Sequence, residues 1–167
     1  MPYTISELNQ ADQDAFVAAL GAIFEHTPAI AAKAWTQRPF ADRDVLYQAM
    51  VAAMQNLSSD EQFALICAHP DLGSRIKMAE ASVKEQAGAG LDQLSPAEYQ
   101  QFQQLNQAYK AKFGFPFIIA VRNHTRTSIV AAFQHRLQNS IEAERQQALR
   151  EIAEIARLRL FDLVADY

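Results

Sequence analysis

The sequence predicts an all-α fold, a single-domain multi-helix bundle over residues 1–167 with one buried extended segment near 115–121. Three observations predict it. Apolar residues recur at helical spacing, as in Phe16, Leu20, Ile23 and Phe24, and again in Phe102, Leu105, Tyr109 and Phe113. Helix-start signatures precede such faces: Ser58 with Glu61, and Ser95-Pro96-Ala97-Glu98. The apolar run at 115–121 could be a buried strand, but no convincing second strand exists to pair with it.

The first face follows a polar lead-in at Asn9 to Gln13 and predicts a helix ending around His26. Thr27-Pro28 predicts a Thr cap with proline at the first helical position. An alanine-rich helix then runs through Trp35 and breaks before Pro39. Leu46, Met50, Ala53 and Leu57 make a third face. The Ser58 box starts a helix carrying Phe63, Leu65 and Ile66, which must stop near His69 because Pro70 pushes its predecessor out of the α region. A helix over 79–86 loosens at Gly88 and Gly90. Ser95 then launches the face of Phe102 to Phe113, which Gly114 is placed to end in a left-handed cap. Backbone groups of the buried 115–121 segment need partners from elsewhere. Thr125 or Thr127 caps a helix with Ile129, Val130, Phe133 and Leu137 inside. A last long helix follows Asn139-Ser140, with Leu149, Ile152, Ala156 and Leu163 inward.

Half the residues are apolar and a fifth charged, as in ordinary globular domains. A net charge of −4 argues against a nucleic-acid or anionic-membrane surface, which would need clustered Lys and Arg. No apolar run approaches the ~20 residues that span a bilayer. A single cysteine, Cys67, excludes an internal disulfide and fits a reducing compartment. The first residues lack a basic region followed by an apolar run, so no signal peptide is expected, and the final Ala165-Asp166-Tyr167 is not a peroxisomal address. A cytoplasmic location is the expectation.

Three stretches carry candidate chemistry. His69 stands on a turn fixed by Pro70, with Asp71 near enough in sequence to orient an imidazole; histidine starts at a pKa of ~6.5, suited to proton transfer near neutrality. A histidine after a helix also serves as a plain cap. Ser82, Glu85 and Gln86 fall at i, i+3 and i+4, placing a hydroxyl, a carboxylate and a carboxamide on one helix face, either a solvated face or a comb for a polar ligand. Arg122 ends the apolar segment with a planar fork suited to a carboxylate or urea-like oxygen. A Cys67–His69 pair is disfavoured, since residues two apart on a helix do not face each other. His26, His69, His124 and His135 have no metal-ligand spacing, and no GxGxxG or GxxxxGK run is present, so no metal or nucleotide cofactor is expected.

His69-Pro70-Asp71-Leu72-Gly73, then Ser82-x-x-Glu85-Gln86 with Ala89-Gly90-Leu91-Asp92, then Leu105-Asn106-x-x-Tyr109 leading into Phe113-Gly114-Phe115-Pro116-Phe117-Ile118-Ile119-Ala120-Val121-Arg122, form one ordered pattern. Together they resemble the 2-oxo-4-hydroxy-4-carboxy-5-ureidoimidazoline (OHCU) decarboxylase family, over essentially the whole chain. Ser74-Arg75-Ile76 departs from it, where many relatives carry a small residue and lysine. The resemblance implies an all-helical single domain, often a homodimer, that makes (S)-allantoin in urate degradation without a cofactor. It implies His69 as catalytic acid/base with Glu85. It further implies that Pro70, Ser82, Val83, Lys84, Glu85, Gln86, Phe117, Ile118, Ile119, Ala120, Val121 and Arg122 hold the ureidoimidazoline. The alternatives are a helical binding module for a small polar ureide or a protein partner, with His69 structural, and a metal-dependent ureide hydrolase.

Overall fold

Thr4, Asp12, Asp42, Ser95 and Thr125 each turn a side-chain oxygen onto the backbone N–H three residues on, and a helix begins after every one. The computed structural model describes residues 2–73 and 80–166. Among them run α1 (Ile5–Gln10), α2 (Gln13–Leu20), α3 (Ala29–Trp35), α4 (Arg43–Gln55), α5 (Ser59–Cys67), α6 (Glu80–Gly88), α7 (Pro96–Phe113), a 3-10 turn (Val121–Asn123), α8 (Arg126–Arg136) and α9 (Ile141–Leu163). No strand occurs among the described residues; Tyr3 and Val164 form one isolated bridge. The fold class is all-α, as expected. The predicted helix start at residue 79 and the departure at 74–76 lie outside the described residues.

The chain divides into two compact units. One comprises the described residues up to Leu65 and from Ala153 on. In it α3 packs on both α2 and α4, over a core that includes Phe16, Leu20, Ile30, Leu46 and Met50. Glu25 and Arg159 form a buried ion pair at 2.9 Å, and Arg159 also donates to the Ile23 carbonyl at 3.3 Å. The sequence patterns placed these charges nowhere in particular. Two further expectations need correction. The helix predicted to reach His26 ends at Leu20, because the chain turns through Gly21 and His26 takes a left-handed φ of 47° that no helix contains. Ile23 and Phe24 are still buried, but from that turn. Thr27 does not cap α3: its hydroxyl donates back to the Glu25 carbonyl at 2.8 Å, and Pro28 stands at the cap without a side-chain bond. Helix α1, with its Thr4–Glu7 capping box, was not anticipated.

The other unit, Ile66–Ile152, is organised on α7. Ser95 and Glu98 close the anticipated capping box, and Gly114 ends the helix at φ 79°. The buried stripe of α7 is Phe102, Asn106, Tyr109 and Phe113, so Asn106 occupies the place expected of Leu105. Aromatic rings fill the centre: Phe117 stacks on Phe133 at 3.7 Å between centroids, and Tyr109 meets Phe113 at 4.5 Å and Phe117 at 5.2 Å. Burying each such ring stabilises the fold by about 1.5–3 kcal/mol. On α8 the buried residues are Ile129, Phe133 and Arg136. The buried positions of α9 are Ala148, Ile152, Ile155, Ala156, Arg159 and Leu160, with Glu144, whereas Leu163 is exposed.

Candidate active site

The 115–121 segment is buried and non-repetitive, and its carbonyls find partners one at a time. Arg136 Nη1 donates to the Ile118 carbonyl at 2.7 Å, Asn123 N–H to Ala120 at 3.0 Å, and His124 N–H to Val121 at 3.1 Å. Phe117, Ile118, Ile119, Ala120 and Val121 are each no more than 5% exposed. The arginine that holds Ile118 is itself fixed. Its Nε lies 2.9 Å from Glu144 Oε2, its guanidinium sits 4.3 Å over the Phe117 ring, and Glu144 also accepts from Tyr109 Oη at 2.6 Å and Asn139 Nδ2 at 2.9 Å. Burial pushes the Glu144 carboxyl up, but the hydrogen bonds from Arg136, Tyr109 and Asn139 outweigh it and hold the group below the usual carboxylate value. Burial, then the bond to that carboxylate, pushes the Tyr109 phenol well up. This four-residue cluster was not found in the sequence. Its one available signal was polar residues at helical spacing inside apolar stripes.

Helix α6 packs on the 3-10 turn that ends the segment. There Arg122 Nη2 stands 3.6 Å from Glu85 Oε1, an ion-pair distance too long for a hydrogen bond. The Glu85 side chain is 9% exposed and that of Arg122 33%, so a carboxylate largely withdrawn from water meets a guanidinium that still reaches it. Ser82 and Gln86 are buried on the same helix, while Val83 is 49% exposed and Lys84 also faces solvent. The α6 spacing therefore separates the comb of Ser82, Glu85 and Gln86 from its two exposed neighbours.

His69 follows α5 on a turn, 9% exposed, its backbone N–H bonded to the Ile66 carbonyl at 3.2 Å; Pro70 beside it is partly buried. Two residues on, Asp71 pairs with Lys110 at 3.2 Å. The turn closes at Gly73, whose φ is 70°. Gln86 Oε1 accepts from the Gly73 N–H at 3.0 Å, tying the turn to α6. Asn106 Nδ2 donates to the Leu72 carbonyl at 2.9 Å, tying it to α7. A cleft of about 310 Å³ borders the turn, lined by Asp71, Leu72 and Gly73 and by Tyr99, Gln103, Asn106, Gln107 and Lys110 of α7. The three stretches singled out in the sequence are thus joined in one unit, through Gln86 to Gly73 and through Glu85 to Arg122. Chemically the arrangement offers an imidazole, a carboxylate, a guanidinium, a carboxamide and a hydroxyl. Among the described residues no group of three or more His, Cys, Asp or Glu side chains could hold a metal ion, and no helix is long and apolar enough to cross a membrane.

Comparison with known proteins gives one consistent answer. A sequence profile described as OHCU decarboxylase matches residues 9–161. The chain is 46% identical over 160 residues to the 2-oxo-4-hydroxy-4-carboxy-5-ureidoimidazoline decarboxylase of Halalkalicoccus jeotgali, covering 96% of this chain and 91% of that one. It is 41% identical over 164 residues to the uric acid degradation bifunctional protein PucL of Bacillus subtilis, covering 98% of this chain but 33% of that longer protein. Among solved structures, the crystal structure of (S)-allantoin synthase superposes with a TM-score of 0.75 at 31% identity, over 96% of this chain and 54% of the other.

Proposed function

The chain belongs to the OHCU decarboxylase family, and from that premise we propose that it is a carboxy-lyase converting 2-oxo-4-hydroxy-4-carboxy-5-ureidoimidazoline to (S)-allantoin in urate degradation. The observation that carries the site assignment is the joining of three separate motifs by the Gln86–Gly73 and Glu85–Arg122 contacts. In the reaction the bond between the ring carbon and its carboxylate breaks and carbon dioxide leaves. The electron pair moves into the adjacent C=N of the imidazoline, so the substrate is its own electron sink and this chemistry asks for no separate carrier. The ring nitrogen that receives the pair takes up a proton. The hydroxyl then loses its proton as its carbon becomes a carbonyl, and a proton is delivered to the ureido-bearing carbon. The net balance is one proton taken up and one carbon dioxide released.

In this proposal His69 and Glu85 handle the hydroxyl and carbon protons, consistent with an imidazole's suitability near neutral pH. Ser82, Gln86 and Arg122 hold ureido and ring oxygens, Arg122 through its planar fork. Pro70, Val83 and Lys84 border that site, and the peptide groups of 117–121 offer it backbone donors and acceptors. Protonation from one face gives a single enantiomer. The finer assignments belong to the same proposal: one OHCU decarboxylase-like domain over 1–167, supported by an uninterrupted profile match across both compact units, acting as a cytoplasmic homodimer on a small-molecule ureide. The test is to generate OHCU in situ from urate, add the protein, and follow the circular dichroism of allantoin. Accelerated growth of a one-handed signal supports the proposal. Growth at the spontaneous rate, ending in racemate, refutes it.

A further inference from the structure

The Leu72–Gly73 bond is a trans peptide, so its C=O and N–H point in opposite directions from one rigid plane. Both are taken by buried carboxamides from different helices: Leu72 C=O by Asn106 of α7, and Gly73 N–H by Gln86 of α6. The orientation of each amide is fixed by chemistry, because only an oxygen can accept from Gly73 N–H and only an NH2 can donate to Leu72 C=O. One peptide plane is therefore pinned at both edges, three residues beyond His69.

We propose that Asn106 is a positioning residue for the decarboxylation. It holds the His69 turn through the Leu72–Gly73 peptide, and through that peptide it sets which end of the Gln86 amide faces the turn. The proposal rests on the reading of His69 and Gln86 as site residues. Two observations separate it from a packing role. Asn106 lies on the apolar stripe between Phe102 and Tyr109 and is only 5% exposed, where leucine, with the same branching, would fit the pattern. Its Oδ1 is buried without a hydrogen-bond partner, and such an orphan acceptor destabilises the fold. Packing alone would favour the apolar residue; the NH2 end directed at Leu72 is what asparagine supplies. Gly73 strengthens the case, since its left-handed φ leaves the turn no ordinary conformation to relax into with a side chain.

The experiment compares wild type, Asn106→Leu, Ser95→Ala and His69→Ala with OHCU generated from urate, together with amide hydrogen exchange of the wild-type resting enzyme. In Asn106→Leu, kcat falls by about 10-fold to 100-fold, the scale of an ångström-sized misplacement, while KM stays within about threefold. The loss of the Leu72 bond and the removal of the orphan oxygen offset, so Tm stays within ~4 °C. Ser95→Ala weakens α7 through its cap and leaves kcat unchanged. Unaltered kcat in Asn106→Leu beside an inactive His69→Ala overturns the positioning role and leaves the site reading standing. An active, folded His69→Ala overturns both. Should Asn106→Leu not fold, Asn106→Ala is read by the same kcat ratio, and a wild-type Gly73 amide exchanging like an exposed one overturns the clamp.

Discussion

Replacing Tyr109 by phenylalanine deletes one oxygen from the Glu144 cluster and leaves the ring in place. Both Tyr109 and Glu144 are fully buried, and the 2.6 Å contact is that of a hydroxyl donating to a carboxylate. Glu144 keeps Arg136 at 2.9 Å and Asn139 at 2.9 Å, so no charge is left unpaired. The cost is therefore that of one hydrogen bond to a charged group, about 1.5–3 kcal/mol. For a chain of this size each kcal/mol lowers Tm by roughly 2–4 °C, so Tyr109→Phe should melt about 3–12 °C below wild type at neutral pH. The pH dependence follows from the sign of the shift. Hydrogen bonds hold the Glu144 carboxyl below its ordinary value despite burial. A group depressed in this way contributes stability that is full above its unfolded value, ~4.3, and is lost as pH falls through the folded value. Removing the Tyr109 bond raises the folded value, so the gap between variant and wild type is constant near neutrality and closes in acid. Thermal melts followed by far-ultraviolet circular dichroism from about pH 8 down to about pH 3 span that range. Equal melting temperatures at pH 7, or a gap that widens on acidification, would show that the Tyr109 hydroxyl does not stabilise the ionised Glu144.

Other outcomes follow from the same geometry. Arg122→Lys should raise KM with a smaller effect on kcat, because an ammonium cannot reproduce a planar fork; steady-state kinetics with unchanged KM would remove that role. Gly73→Ala and Gly114→Ala both force a side chain to positive φ, at 70° and 79°, and each should lose about 1–2 kcal/mol in denaturant melts. Only the first meets a neighbour, Leu94 Cδ1 at 2.9 Å, and only the first disturbs the His69 turn, so only Gly73→Ala should also lose turnover. Equal activity in the two variants would argue against the turn's part in the site. Adding a chelator should leave the rate unchanged; a rate abolished by chelation and restored by a divalent metal would favour the hydrolase alternative.

Where the sequence was legible, local chemistry decided the outcome. The Ser58 and Ser95 starts and the Gly114 stop depend on a few adjacent residues, and all three stand where expected; of the two threonines left open for α8, Thr125 is the cap. The 115–121 segment was readable as buried and unpaired because no partner strand was available. Misreadings arose where a distant group overrode the local signal. Thr27 resembles a cap, yet its hydroxyl turns to Glu25, whose carboxylate pairs with Arg159, 134 residues away. Leu105 satisfies the apolar spacing of α7, but Asn106 takes the buried place to reach Leu72. Glu144 and Arg136 carried no signal of their own in the sequence, and their pairing belongs to the buried aromatic core around them. For the site, the residue types and their spacing were legible in the sequence. The contacts that join them, Gln86 to Gly73 and Glu85 to Arg122, belong to the tertiary fold.

In the proposed reaction His69 moves a proton in a decarboxylation on OHCU itself. That role is tested most directly by one time course: the allantoin circular dichroism signal from in situ OHCU, with wild type and with His69→Ala, whose far-ultraviolet spectrum certifies its helices. Rapid one-handed growth is expected with wild type, and a rate lower by at least about 10²-fold with the folded variant, the usual scale of general acid–base catalysis. A folded His69→Ala that matches wild type would contradict that role.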